Sequence, residues 1–309
     1  MLKIVFMGTP EFAVPILEAL AKEYEVVLVV TQPDKKTGRK QEIVKSPVKL
    51  AAERLNLPIF QPEKIRNDYE RIISLNPDLI VTAAYGQLIG TKVLNAPKYR
   101  SINVHGSLLP KYRGGSPIQT AIMNGDKETG ITIMYMEKGM DSGDILAVRK
   151  CEIESTDDAG TLFNKLSIIG RDLLMEVIPL LVEGKIRGVK QDEKEVTYAY
   201  NITPEEEKID FTTSAEAIVN KIRALSPAPL AYFNIVENDE TSKLKIKKAI
   251  VSKTTHCGKV GKIIDVNKNY FTISCGNHTA IDVYEVLPFG KRLMNASDFI
   301  NGGLKKYLK

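Results

Sequence analysis

Lys3-Ile4-Val5-Phe6-Met7-Gly8-Thr9-Pro10-Glu11-Phe12 opens the chain with a short apolar strand, a glycine turn and a proline suited to the first turn of a helix. The helix is expected to run from Pro10 to about Lys22, and Val26–Val30 follows as a β-branched run that reads as a buried strand. The pattern then repeats. Ser46-Pro47 and Ser116-Pro117 each look like an N-cap followed by a proline at the first helical position, the first helix reaching about Leu55. Leu79–Ala84 and Ile102–Val104 are further strands, Thr129–Met136 and Ile145–Ile153 form a strand pair, and Thr161–Leu181 carries apolar residues at helical spacing. Strands alternating with helices predict an open, mostly parallel, twisted sheet covered on both faces, an α/β fold.

The same opening excludes the commonest occupant of such a sheet. A dinucleotide needs three glycines for a tight turn, close approach of the pyrophosphate and helix packing. Met7-Gly8-Thr9-Pro10 supplies one, and Pro10 removes a backbone N–H from the helix N-terminus. A phosphate-cradling P-loop signature is absent as well.

The pattern changes near Thr203. A polar run, residues 203–208, precedes a helix over Ser214–Ala224 and the proline-rich Ser226-Pro227-Ala228-Pro229. Short strand-like runs follow at Ala231–Val236, Leu244–Val251, Gly258–Val266, Tyr270–Ser274 and Thr279–Val286, the spacing of a small OB-like β-barrel. The expected division is therefore a first domain over 1–203, a linker at about 203–208 and a β-barrel domain over 204–309.

With 43% hydrophobic and 26% charged residues, the 309-residue chain has the composition of a folded globular protein. Its apolar runs are far shorter than the ~20 residues of a membrane span, and its N-terminus lacks the pattern of a signal or transit peptide, so a cytoplasmic protein is expected. Three cysteines without paired spacing point to a reducing compartment. His256-Cys257 and Cys275-Gly276-Asn277-His278 give poor zinc-ligand spacing, so no metal is expected. The net charge of +5 is uneven: residues 1–203 carry 27 cations and 26 anions, residues 204–309 carry 16 and 12. The segment Asp34–Lys49 alone holds Lys35, Lys36, Arg39, Lys40, Lys45 and Lys49 against two acids. Concentrated positive charge attracts a polyanion, although a solvated surface is the plainer reading of any isolated basic stretch.

The chemistry concentrates in Ser101-Ile102-Asn103-Val104-His105-Gly106-Ser107-Leu108-Leu109-Pro110. On an extended chain Asn103 and His105 point to one side, at a strand end where ligands bind in open α/β sheets. A second piece, Gly139-Met140-Asp141-Ser142-Gly143, is a glycine-flanked loop able to deliver a carboxylate. An amide, an imidazole and a carboxylate suit acyl transfer to an amine: Asn103 donating to an oxyanion, His105 handling a proton, Asp141 orienting His105. Spacing alone does not show that the two pieces meet.

The run from Ile102 to Pro110, continued by Tyr112-Arg113-Gly114-Gly115-Ser116-Pro117-Ile118-Gln119, resembles the signature of folate-dependent formyltransferases. The resemblance implies a Rossmann-like formyltransferase fold and the catalytic residues Asn103, His105 and Asp141. It also implies 10-formyltetrahydrofolate as formyl donor, held by Ser107, Leu108, Leu109 and Pro110, by Tyr85, Gly86, Gln87, Leu88 and Ile89, and by Met140. Thr31–Lys40 with Ser46–Lys49 is similar to the basic insertion of the methionyl-tRNA branch of that family, with Arg39 at the insertion's key arginine. The branch implies initiator methionyl-tRNA as acceptor, contacted by Lys35, Lys36, Arg39, Lys40 and Lys45. Lys243, Lys245 and Lys247, on one face of a strand, would add a phosphate track. A bacterial cytoplasmic monomer is expected. Ala228 and the Lys40-Gln41-Glu42 run depart from the branch's pattern, and the chain has no tryptophan. Two other readings stand beside this one: a formyltransferase of a small amine such as an amino sugar nucleotide, and a non-catalytic RNA-binding protein on a degenerate scaffold.

Overall fold

The computed structural model describes residues 1–37, 41–237 and 240–302. In the N-terminal part, strands β1 (Lys3–Gly8), β2 (Glu25–Val30), β3 (Lys35–Thr37), β4 (Glu42–Val44), β5 (Ile59–Phe60), β6 (Leu79–Ala83), β7 (Ser101–His105), β8 (Glu128–Tyr135) and β9 (Ile145–Glu152) alternate with helices. The helices are α1 (Val14–Glu23), α2 (Pro47–Arg54), α3 (Glu70–Ile73), α4 (Thr91–Leu94), α5 (Pro117–Met123) and α6 (Ala159–Val182). Seven strands form one sheet in the order β5-β2-β1-β6-β7-β8-β9. It is parallel from β5 to β7, and β8 and β9 each pair antiparallel with their neighbour. The mostly parallel sheet expected from the sequence is therefore present.

The apolar runs explain the middle of this sheet. Ile4, Val5, Phe6 and Met7 of β1 and Leu79, Ile80 and Val81 of β6 are fully buried, as strands covered on both faces must be. Burying each such side chain contributes about 1.5–3 kcal/mol. Ser46 caps α2, its hydroxyl accepting from the Lys49 N–H at 3.1 Å, with Pro47 in the first turn. Pro10 does not start the first long helix; it precedes a 3-10 turn over Glu11–Ala13, and α1 begins only at Val14.

The basic segment departs further from expectation. It contains a short antiparallel hairpin, β3 with β4, pairing Lys35 with Val44 and Thr37 with Glu42. Alternation is weak in so lysine-rich a run, so the pattern gave no strand signal. At the hairpin's base Lys49 Nζ lies 2.6 Å from Asp34 Oδ2, and Gln61 Nε2 donates to Asp34 Oδ1 at 2.8 Å. The hydrogen bonds from Lys49 and Gln61 hold the Asp34 carboxyl below its ordinary pKa.

The C-terminal part holds α7 (Ala215–Ala224), β10 (Ala231–Glu237), β11 (Glu240–Val251), β12 (Ile263–Val266), β13 (Phe271–Ser274), β14 (Ala280–Pro288), β15 (Met294–Asn295) and α8 (Ala296–Gly302). Its antiparallel sheet runs β10-β11-β14-β13-β12, with β15 also on β14. The strand expected over Gly258–Val266 is confined to Ile263–Val266, because turns occupy the glycines that precede it. Phe271, Ile273, Ile281 and Val283 form the core with Ile218 and Ile222 of α7.

By contacts the chain divides into two units: Met1–Pro117, Glu128–Glu152 and Phe163–Tyr200 in one, Ile118–Lys127, Ile153–Leu162 and Asn201–Lys309 in the other. Within the second unit the Arg223 guanidinium donates to the backbone carbonyls of Glu154 and Asp157, each at 2.6 Å, and so holds the segment from Ile153 to that unit's helix α7. No helix among the described residues is long and apolar enough to cross a membrane.

Candidate active site

Strand β7 carries Asn103 and His105 at alternate positions, hence on one face, and β8 turns the chain back so that the Asp141 loop returns to its end. His105 Nδ1 lies 3.6 Å from Asp141 Oδ2, so the two pieces that the sequence left apart do meet. The imidazole is 5% exposed and the carboxylate 19%.

Each of the three side chains has one polar atom tied to the protein and another left over. Thr82, the register partner of Asn103 across β6 and β7, donates its hydroxyl to Asn103 Oδ1 at 2.7 Å. That fixes the amide orientation and leaves Nδ2 as a donor with no partner among the described residues. His105 Nε2 lies 3.0 Å from the Tyr112 carbonyl. A carbonyl only accepts, so Nε2 carries a proton, and Nδ1 faces Asp141. At 3.6 Å that contact is longer than a hydrogen bond, so a proton on Nδ1 is not locked to the carboxylate. Asp141 Oδ2 accepts the Gly114 N–H at 2.8 Å, and Oδ1 remains. An amide N–H, an imidazole nitrogen and a carboxylate oxygen thus stay available on side chains held in place beforehand, the arrangement that acyl transfer requires.

The loops that achieve this are backbone-constrained. Ala84, Tyr112 and Asp141 all have left-handed φ (47°, 63° and 44°) without being glycine, a cost that concentrates at functional sites. Gly114 has φ 128°, and a Cβ there would stand 2.5 Å from the Ala199 carbonyl oxygen. Only glycine brings that N–H to Asp141.

Behind the loop lies a layer that the sequence did not reveal. Gln191 Nε2 donates to the carbonyls of Asp141 (2.7 Å) and Gly143 (2.8 Å), and Gln191 Oε1 accepts from Arg113 Nε at 3.0 Å. Arg113 is 3% exposed and its Nη2 reaches Glu193 Oε1 at 2.9 Å. Arg113 and Gly114 belong to the motif run, whereas Gln191 is 50 residues from Asp141 and stands in no motif. Thr82 was likewise hidden inside an apolar strand.

The residues expected to hold folate divide by what their side chains do. Thr132 Oγ1 donates to the Ser107 carbonyl (2.7 Å) and accepts the Leu109 N–H (3.1 Å), which pins the 107–110 loop. The Ser107 hydroxyl donates to the Lys111 carbonyl at 2.7 Å, and Leu109 is buried, so both side chains serve the loop itself. Leu108 and Pro110 are half-buried. In the loop after β6, Tyr85 packs into the core against residues such as Ile65 and Val93, and burial pushes its phenol pKa up. The Gln87 amide binds the backbone of Pro62 and Ile65. Tyr85 and Gln87 are therefore directed into the protein, where each anchors the loop on which Gly86, Leu88 and Ile89 are presented. Leu88 is 87% exposed and Met140 52%.

Of the cations expected at a polyanion, Lys35 and Lys36 are exposed on β3, while Arg39 and Lys40 lie outside the described residues. Lys45 pairs with Glu53 at 2.9 Å. Lys243, Lys245 and Lys247 alternate with buried Leu244 and Ile246, as period two requires. Each has a partner in its own unit: the Tyr232 ring at 3.9 Å, the Pro229 carbonyl at 2.7 Å and Asp158 at 3.3 Å. His256 and His278, weighed above as metal ligands, bond backbone carbonyls of Cys275 and His256.

Comparison with known proteins gives the family. A family model described as formyl transferase matches residues 2–178, and one described as formyl transferase, C-terminal domain, matches residues 201–304. A methionyl-tRNA formyltransferase of Latilactobacillus sakei is 51% identical over 305 residues, covering 98% of this chain and 95% of the relative. One of Lactiplantibacillus plantarum is 50% identical over 311 residues, 99% and 97% of the two chains. Among solved structures, an N-formyltransferase from Helicobacter canadensis, in complex with folinic acid and dTDP-3-aminofucose, superposes with a TM-score of 0.68 at 21% identity. It covers 92% of this chain and 99% of its own, a likeness of fold. Matched by the two domain models over residues 2–178 and 201–304 and half identical to those relatives, the chain belongs to the formyl transferase family, in its methionyl-tRNA formyltransferase branch.

Proposed function

We propose that the chain moves the formyl group of 10-formyltetrahydrofolate onto the α-amino group of initiator methionyl-tRNA, giving N-formylmethionyl-tRNA for translation initiation. The observation that carries the acceptor is half-identity along almost the whole chain to relatives named for that substrate. The geometry supports the chemistry. The neutral amine of the methionyl ester attacks the formyl carbon, a C–N bond forms, and the bond from that carbon to folate N10 breaks as a proton passes from the amine to N10. Asn103 Nδ2 and protonated His105 Nδ1 donate to the oxyanion of the tetrahedral intermediate. Asp141 Oδ1, the carboxylate oxygen without a partner among the described residues, takes the proton from the amine through water and returns it to the leaving nitrogen. Leu88, Met140 and the backbone of the 86–89 and 107–110 loops line the folate side. No metal enters the scheme.

The role assigned to the basic hairpin follows from the same reading. Lys35, Lys36, Arg39 and Lys40 grip acceptor-stem phosphates, while Lys49 is retained by Asp34 as the hairpin's anchor. Residues 1–203 do the chemistry, residues 204–309 follow the tRNA, and the enzyme works as a monomer in the bacterial cytoplasm. An amino sugar nucleotide as acceptor has no use for that hairpin. Salt separates the two. Four phosphate contacts make the tRNA KM rise on the order of 100-fold between 50 and 200 mM salt. A flat KM across that range overturns the tRNA reading.

A further inference from the structure

Tyr198 and Tyr200 lie in the chain's first unit as a parallel-stacked pair, ring centroids 5.6 Å apart and planes within 5°. They are 50% and 67% exposed, whereas Ala199 between them is buried. Two large rings held face to face at the surface contribute little to a core, and nothing in the scheme above uses them. Their place in the fold is specific. The segment 197–199 pairs with 112–116: Arg113 N–H donates to the Thr197 carbonyl (2.9 Å), Ala199 N–H to the Arg113 carbonyl (2.8 Å) and Ser116 N–H to the Ala199 carbonyl (3.0 Å). The Tyr112 N–H donates to Thr197 Oγ1 at 2.9 Å. The strip so held includes the Tyr112 carbonyl that fixes His105 and the Gly114 N–H that fixes Asp141. The ring pair is therefore mounted one backbone hydrogen-bond layer from the reacting groups.

We propose that the Tyr198–Tyr200 pair is a stacking platform for a nucleobase of the acceptor's single-stranded 3′ end. This rests on the proposed tRNA acceptor. In an aminoacyl-tRNA the terminal base is joined to the reacting amine through one ribose and one ester, so some base must lie close beside the trio. A ring face accepts any base, and an existing stack is extended without new ordering of the protein. Rings pre-stacked on each other have already lost the side-chain freedom that binding would otherwise remove.

The test is a steady-state comparison of the parent enzyme with the pairs Tyr198→Ala/Tyr200→Ala and Tyr198→Phe/Tyr200→Phe, using charged initiator tRNA and 10-formyltetrahydrofolate. The alanine pair is expected to raise the tRNA KM about 5- to 140-fold, from the 1–3 kcal/mol typical of one base stacked on an aromatic side chain. The donor KM stays put, and the phenylalanine pair recovers most of the loss because the ring face and not the hydroxyl is used. If the alanine pair does not fold, the Tyr→Leu pair gives the same reading, since leucine keeps apolar bulk without a ring. An unchanged tRNA KM with full parent turnover overturns the platform alone. A rise in the donor KM instead assigns the rings to folate and overturns it too. No parent turnover on charged tRNA overturns the proposed function and the platform together.

Discussion

Gln191→Glu separates the layer that positions Asp141 from the layer that does chemistry. The change is nearly isosteric, and a carboxylate still accepts from Arg113 Nε. It cannot donate, so the carbonyls of Asp141 and Gly143 lose bonds of 2.7 and 2.8 Å and face negative charge instead. Gln191 is 9% exposed, so water does not readily replace those donors. Each buried carbonyl left unpaired costs about 1–3 kcal/mol, together about 2–6 kcal/mol at most, since the loop can relax. The loop then moves, and displacement of a catalytic group by an ångström costs on the order of 100-fold in rate. Thermal unfolding should therefore shift down by several degrees, and kcat for formylation should fall by about 10- to 100-fold with little change in either KM. Gln191→Leu loses the Arg113 contact as well and should be less stable still. A Gln191→Glu enzyme with parental kcat and melting temperature would show instead that the Gly114 N–H alone suffices to hold Asp141.

Other expectations follow from the same structure. Asn103→Ala should lower kcat by about 10²- to 10³-fold in single-turnover assays, the usual loss for one oxyanion donor. Thr82→Val keeps shape and burial but frees the Asn103 amide to rotate; a fall of about tenfold in kcat with unchanged melting temperature is expected, one hydrogen bond's worth of orientation. Asp34→Ala should loosen the β3–β4 hairpin and raise the tRNA KM without affecting the donor KM. Because the Asp34 pKa is depressed, its contribution is present above the ordinary carboxylate range and fades as pH falls below it. Burial pushes the Cys275 thiol up to about 11. Its contribution to stability is whole below the unfolded thiol's pKa near 8.5 and is lost as pH rises through about 11. At pH 8 a thiol reagent should label exposed Cys257 quickly and Cys275 only on unfolding.

What was legible in the sequence followed from pattern strength. Strands β1, β2, β6 and β7 are apolar runs between turn residues, and a buried parallel strand has few other ways to look. The trio was legible in part: Asn103 and His105 are two apart on one strand, where period two settles their side. The meeting of His105 with Asp141 was not, because it depends on β8 reversing direction, and no local signal encodes which strand end a loop returns to. The β3–β4 hairpin escaped notice because lysines obscure its alternation, and β12 was drawn too long because its glycines were read as strand. Gln191 and Thr82 show the sharper limit. A glutamine in a loop and a threonine in an apolar strand look ordinary, and their roles exist only once Asp141 and Asn103 are beside them.

Formyl transfer to the initiator is measured by incubating the protein with 10-formyltetrahydrofolate and methionine-charged initiator tRNA, with uncharged tRNA, free methionine and an amino sugar nucleotide run in parallel. Formyl-methionine is expected from the charged tRNA alone. Formylation of the sugar nucleotide with none on the tRNA would keep the Asn103, His105 and Asp141 chemistry and contradict the assigned acceptor.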